Sequence, residues 1–352
     1  MKNNFKLAIV GASGVVGQKI IQLLEEMALD IGEVFFLGSS SVGKDIFFNN
    51  EKFQIQDLES FDPSNVDVSI FSAGSSVAKK FAQSFIDSGG YVIDLSSEFR
   101  YDDDKLLIIP EVNGNLISNL NKPSIIANPN CSTSQLLMIL QPIHKKFEIE
   151  FVNIATYQAV SGTGKAAVDE LKQQSIDPDN VTPKIYPKQI AFNVLPQCDV
   201  FLENAFTKEE MKLVWETKKI LDPNIEVQAT CARVPVFNGH SEAVFLRTKI
   251  DASKEDVIDS LTGIKGVSII DNPTTQEYPN PIENAHDTKD VYVGRIRSQK
   301  VLNETWIALW IVADNVYGKG AALNAVQILD LLITNNKLLS LIHISEPTRP
   351  NC

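Results

Sequence analysis

The stretch Lys6-Leu7-Ala8-Ile9-Val10-Gly11-Ala12-Ser13-Gly14-Val15-Val16-Gly17 decides the architecture. Lys6 to Val10 reads as a largely apolar strand. A glycine-rich turn follows, and then apolar residues at helical spacing: Ile20, Ile21, Leu23 and Leu24. Strand, tight glycine turn and helix form the opening unit of a dinucleotide-binding fold. The glycines let the backbone turn sharply and approach a pyrophosphate, which the free N–H groups of the helix N-terminus hold. Gly11, Ser13, Gly14, Val15 and Val16 are therefore candidate cofactor-binding positions. The spacing is G-x-x-G-x-x-G, not the commoner G-x-G-x-x-G. Position gives the motif its weight, since it is the first unit in the chain and lies between strand and helix. The plainer reading is a turn that only packs a helix onto a sheet.

Downstream, a second strand is expected over Glu33 to Leu37, ending in Gly38-Ser39-Ser40-Ser41-Val42-Gly43-Lys44. An NAD site usually carries an acidic residue here to bind the ribose 2′-hydroxyl. None is present. The hydroxyls of Ser39, Ser40 and Ser41, with Lys44 nearby, suit a 2′-phosphate, so NADP is the expected cofactor. The alternative is a Ser/Gly loop with no ligand role. Further strands, Asp67 to Phe71 and Tyr91 to Leu95, end in Ser72-Ala73-Gly74-Ser75-Ser76 and Ser96-Ser97. In an open parallel sheet such ends line the ligand crevice, which makes Ser72, Ala73 and Gly74 candidates too.

From about 150 to 315 the pattern changes. Strand-like runs (Phe151 to Gln158, Glu226 to Val236, Ala243 to Ile250, Trp306 to Val312) mix with amphipathic helices near Thr207–Leu221 and Lys254–Thr262. The expected fold is α/β: a Rossmann-type dinucleotide-binding domain plus an α+β domain with a mostly antiparallel sheet. A last helix, Ala321 to Ile333, is expected to return to the first domain. The expected division is 1–128 with 315–339, then 129–314. Residues 340–352 read as a foreign or disordered tail.

The chain has 352 residues and a formal net charge of −12. That charge speaks against a nucleic-acid or membrane surface. No apolar run is long enough to cross a membrane. The N-terminal residues lead straight into a strand pattern, so no signal peptide is expected. Cys131, Cys198, Cys231 and Cys352 are far apart and form no CxxC pair. No zinc or other metal site and no disulfide framework is expected, and the expected compartment is the reducing cytoplasm.

Cys131 lies in Asn128-Pro129-Asn130-Cys131-Ser132-Thr133-Ser134, just before the apolar run Leu136 to Leu140. Asn130 is a candidate N-cap, which places Cys131 in the first helical turn. There the dipole and free N–H groups would favour the nucleophilic thiolate. The alternative is a small buried apolar residue. Of four histidines, His144 falls in a charged helical stretch, His286 in a polar loop and His343 in the tail. His240 is expected in a turn between two strands, seven residues after Arg233. Such a turn can place a general base and a carboxylate clamp in one cleft.

Four segments complete a pattern in this order: Gly11 to Gly17, Asn128 to Thr133, Tyr157-Gln158-Ala159-Val160-Ser161-Gly162-Thr163-Gly164, and Arg233-Val234-Pro235-Val236 with His240-Ser241-Glu242. Val293 to Arg297 and Asp314-Asn315 extend it. Together they closely resemble the aspartate-β-semialdehyde dehydrogenase family, over about residues 5 to 335. The resemblance implies that Cys131 is the nucleophile, His240 the acid/base and Gln158 the residue orienting the acyl group. It implies Arg233 as the clamp on the substrate α-carboxylate and Glu209 as the partner of its amino group. Arg100, Asn130 and Lys212 would bind phosphate. Ser161, Gly162 and Asn315 would contact the nicotinamide half of the cofactor. Read from the residues alone, Glu209, Glu210 and Lys212 would be a solvated helix face. Two features depart from the family: Ser40 stands where members of this type often carry Arg, and the tail has no counterpart.

The activity so implied is NADPH-dependent reductive dephosphorylation of L-aspartyl-4-phosphate to L-aspartate 4-semialdehyde and phosphate. It would pass through a Cys131 thioester, in a homodimer or dimer of dimers of the 129–314 domain. The product would feed lysine, methionine and threonine synthesis. The rival readings are an N-acetyl-γ-glutamyl-phosphate reductase and a non-catalytic dinucleotide-binding sensor.

Overall fold

The computed structural model describes residues 5–178 and 180–338; the 340–352 tail lies outside the described residues. Seven strands form one parallel sheet. In spatial order they are Gln56–Asp57, Ile31–Gly38, Phe5–Val10, Val68–Phe71, Tyr91–Asp94, Ile125–Ala127 and Leu106–Leu107. Alternation along the strands divides the core. Leu7, Ile9, Val68, Ile70 and Ile93 face the helices Val15–Met27 and Ala322–Thr334. Ala8, Val10, Phe71 and Val92 face Ser75–Asp87 through Ala78, Ala82 and Phe85. Both faces are covered, so the central strands are mostly apolar, as parallel sheets require.

The second sheet runs Glu226–Arg233, Ile149–Gln158, His240–Thr248, Glu304–Ala313, Val291–Val301 and Val267–Ile269. Its middle is antiparallel and its two outer pairs are parallel. Inward residues such as Val152, Ile154, Val244, Leu246, Ile307 and Leu309 pack under the helices Cys131–Phe147, Lys208–Ile220 and Lys254–Leu261. The opposite face carries Phe151 against Trp306 and Tyr157 against Trp310. Phe245 on that face is 41% exposed.

The chain crosses between the sheets twice, near Asn128 and again over Asp314–Ala321. Asn324 Nδ2 donates to Asn128 Oδ1 at 2.8 Å and to the Ile108 carbonyl at 3.0 Å. Lys319, 1% exposed, places its ammonium between Glu111 and Gln327.

Several elements differ from expectation. The strand expected to run to Val236 ends at Arg233, because Pro235 has no N–H to give a ladder. His240 is not in the turn but opens the next strand, which spans His240–Thr248. The strand Val291–Val301 and the helices Ser75–Asp87 and Lys165–Ile176 have no counterpart in the sequence reading.

Candidate active site

Cys131 is the first residue of its helix. Asn130 caps it in an extended conformation (φ −60°, ψ 148°), its side chain accepting from the amides of Ser132 at 3.0 Å and Thr133 at 3.3 Å. The expected placement holds, but the expected thiolate does not. Burial pushes the thiol up to about 12, and the Glu209 carboxylate adds to it. Lys212, Arg233 and Arg100 pull the other way and are outweighed. The helix terminus alone does not ionise a sulfur that is desolvated and faces a carboxylate.

The second sheet delivers the partners. Gln158 and Arg233 end neighbouring parallel strands in direct register. His240 begins the strand on the other side of Ile149–Gln158, where Ser241 pairs with Tyr157. Three side chains thus converge at one end of the sheet. Gln158 Nε2 lies within hydrogen-bonding distance of Ser132 Oγ (3.1 Å), Thr156 Oγ1 (3.2 Å) and Glu209 Oε1 (3.1 Å), tying the strand to the helical turn that Cys131 opens. Arg233 Nη1 donates to the Ala159 carbonyl at 2.7 Å, while its buried Nε has no partner.

His240 is fully buried. Its Nδ1 accepts from the Ala159 amide at 3.1 Å, which assigns the proton to Nε2. That Nε2 is buried without a partner. Burial and then the Arg233 guanidinium press the ring down to about 3, so it is neutral. The Val160–Thr163 turn closes over this pair: a Cβ on Gly162 would lie 3.2 Å from both Arg233 Nη1 and the His240 ring.

The helix Lys208–Ile220 turns a charged face inward, contrary to the solvated reading of Glu209, Glu210 and Lys212. Glu209 accepts from Asn130 Nδ2 at 3.0 Å, from Gln158 Nε2 and from Lys212 Nζ at 2.9 Å. Burial opposes its charge, but Lys212 and the two amides outweigh burial and hold it down to about 2. Lys212 also reaches Asp199 at 2.8 Å. Glu210 closes the capping box with Thr207 and accepts from the Cys231 amide at 3.0 Å. Arg100 donates to Glu216 at 3.0 Å and to the Leu95 carbonyl at 3.0 Å. Glu216 and Asp199 escaped the sequence reading. The signal for Glu216 was spacing, since Glu209, Lys212 and Glu216 at i, i+3 and i+7 share a helix face.

The residues present fit a dinucleotide. Gly11 has φ +85°, and a Cβ there would meet Ala73 Cβ and the Ser72 carbonyl carbon at 3.0 Å. Gly14 caps the helix Val15–Met27 with no side-chain hydrogen bond, so the first amides of that helix remain for an anion. Gly74, φ +88°, does the same for Ser75–Asp87. Asn315 Oδ1 accepts from Ser161 Oγ at 3.1 Å and from the Gly239 amide at 3.0 Å. Its Nδ2 is buried and unpartnered, a donor suited to a carboxamide oxygen. Ser39 and Ser40 are exposed, whereas Ser41 is buried and accepts from Ser13 Oγ at 2.9 Å.

Family profiles match both halves: "Semialdehyde dehydrogenase, NAD binding domain" over residues 6–120 and "Semialdehyde dehydrogenase, dimerisation domain" over 140–317. An aspartate-semialdehyde dehydrogenase of Shewanella sp. (strain DB6705) is 48% identical over 95% of this chain and 99% of its own length. The chain belongs to the aspartate-semialdehyde dehydrogenase family. A crystal structure of aspartate semialdehyde dehydrogenase II from Vibrio cholerae, complexed with ASA, superposes with a TM-score of 0.90. It is 44% identical and covers 94% of this chain and 98% of that one. A Candida albicans aspartate semialdehyde dehydrogenase with NADP gives 0.75 at 25% identity over 95% of this chain and 99% of that one. The family relationship agrees with the α/β architecture of a parallel dinucleotide-binding sheet joined to a mixed sheet, and with an oxidoreductase.

Proposed function

We propose that this aspartate-semialdehyde dehydrogenase family member reduces L-aspartyl-4-phosphate to L-aspartate 4-semialdehyde through Cys131, with NADP as cofactor. The observation that carries the mechanism is the convergence of Cys131, Gln158, Arg233, His240 and Glu209 around one helix N-terminus. Arg233 offers a planar fork to the α-carboxylate. Glu209, held ionised, offers a carboxylate to the α-ammonium. The same contact activates the nucleophile, because an ammonium on Glu209 cancels a charge that keeps Cys131 protonated. The Cys131 sulfur then attacks the acyl carbon as thiolate, the C–O bond to phosphate breaks, and the phosphate departs beside Arg100, Asn130 and Lys212 carrying the proton the thiol gave up.

Bound NADPH supplies hydride to the thioester carbon. His240 Nε2–H would donate a hydrogen bond to the oxygen that gains charge there, and a proton from solvent completes the thiohemiacetal hydroxyl. Collapse releases the aldehyde and the Cys131 thiol. Gly11, Ser13, Gly14, Val15, Val16, Ser72, Ala73 and Gly74 would hold the cofactor's phosphates, and Ser39 and Ser40 would meet its 2′-phosphate. Ser41 acts through Ser13. Ser161, Gly162 and Asn315 receive the nicotinamide end.

An acetylated amine carries no positive charge to meet the Glu209 carboxylate, which disfavours an N-acetyl-γ-glutamyl-phosphate reductase. A complete constellation of this kind has no use in a non-catalytic sensor. We place the enzyme in the cytoplasm as a homodimer, with its product feeding lysine, methionine and threonine synthesis. The test is phosphate-dependent NADP reduction with L-aspartate semialdehyde. Absence of turnover, or equal turnover of N-acetyl-glutamate semialdehyde, would overturn the reading.

A further inference from the structure

Glu216 is a fully enclosed carboxylate touching the candidate site, at 0% exposure near the end of Lys208–Ile220. It joins three segments distant in sequence. Oε1 accepts from Arg100 Nη1 at 3.0 Å and from Tyr101 Oη at 3.4 Å. Oε2 accepts from the backbone N–H of Asn130 at 2.7 Å. One carboxylate therefore grips both the arginine beside the first sheet and the residue that caps the nucleophile's helix.

The geometry points to Glu216 as a positioning residue that aims Arg100 at the leaving phosphate and fixes that arginine relative to Cys131. A guanidinium has five N–H donors in a rigid plane. Glu216 and the Leu95 carbonyl take one donor each from the two terminal nitrogens. Arg100 Nε remains buried and unpartnered, so its N–H is left to an incoming anion. With the plane held at both terminal nitrogens, the free edge cannot rotate away. The grip on the Asn130 amide sets the second half of the geometry. Asn130 spends its side-chain oxygen on Ser132 and Thr133 and its Nδ2 on Glu209. Its backbone N–H is its only other donor, and Glu216 holds it. Arg100 and Cys131 are thus referred to one buried anchor, although one lies in a turn after the first sheet's strand Tyr91–Asp94 and the other opens a helix packed on the second sheet.

This inference rests on the assignment of Arg100 to phosphate binding, and the test separates the two. Glu216→Gln keeps the shape but loses the charge and one of the two acceptors. In the phosphorylating direction it should raise KM for phosphate about tenfold, the scale of a charged hydrogen bond, and change KM for semialdehyde less than about threefold. Arg100→Gln should raise the phosphate KM at least as much. The double variant should equal Arg100→Gln alone, because Glu216 acts through Arg100. Glu216→Asp, which retains the charge but shortens the reach, should shift phosphate KM in the same direction by a smaller factor. It serves as the test if the glutamine variant does not fold. An unchanged phosphate KM in Arg100→Gln would sink the phosphate assignment itself. A raised value in Arg100→Gln with no change in either Glu216 variant, or effects that multiply in the double variant, would sink the positioning role. A purely structural Glu216 would move melting temperature and leave the ratio of the two KM values unchanged.

Discussion

At the scale of single residues, burial biases both Cys131 and His240 toward their neutral forms. Cys131 is a thiol, so its alkylation by iodoacetamide should accelerate steadily with pH and show no plateau below about pH 9, where an ordinary free thiol is already levelling off. A plateau near neutrality would show a preformed thiolate. Cys131→Ser should retain less than about one per cent of turnover, a serine hydroxyl being far less ionised; a variant keeping a tenth would remove the nucleophile from the mechanism. His240 shifts in the opposite direction. Its folded value is depressed to about 3, below the ordinary value near 6.5, so the unfolded chain binds the extra proton first. Between those two values stability must fall as pH falls, by up to about 1.4 kcal/mol per pH unit from this one ring. Urea titrations of His240→Asn should show a shallower loss than the wild type across that window.

At the scale of elements, legibility followed the range of the forces. The cap of the nucleophile helix was readable because Asn130 and the amides it caps are local. The glycine turn after Phe5–Val10 was readable for the same reason. The inward charged face of Lys208–Ile220 was not, because Glu209, Lys212 and Glu216 are satisfied by Asn130, Asp199 and Arg100 from distant segments. Val291–Val301 was hidden by Gly294 and by the register shift before Arg297, which interrupt its alternation. The serine loop after Ile31–Gly38 is a local element with a testable consequence. Ser39 and Ser40 are exposed, and hydroxyls give a 2′-phosphate less than a cation would. The ratio of kcat/KM for NADP to that for NAD should be modest and should rise at least about tenfold in Ser40→Arg. No change would mean the phosphate is met elsewhere.

At the scale of the whole molecule, the outer face of the second sheet is left partly open by the described residues. Phe151, Tyr157, Phe245, Trp306 and Trp310 line it, and the family profile over 140–317 is described as a dimerisation domain. A second copy seated there would bury these rings. Phe245→Glu should therefore shift the sedimenting species toward the 38.9 kDa monomer. An unchanged dimer would place the interface on another face.

The two crossings between the sheets meet at one spot. Asn128, on the outward crossing, is held by Asn324, while Lys319, on the return, is held by Glu111 and Gln327. Neither crossing behaves as a free linker. If either sheet melted alone, the chain leaving it would pull at the buried contacts of Asn128 and Lys319, and losing those leaves an ammonium and amides without partners. Heat should therefore find no half-unfolded resting place. A scanning calorimeter should record one endotherm whose van't Hoff and calorimetric enthalpies agree for the cooperative unit, and Lys319→Met with Glu111→Leu should keep that single peak while Lys319→Ala alone lowers it. Two resolved endotherms in the wild type would show that the crossings are hinges after all.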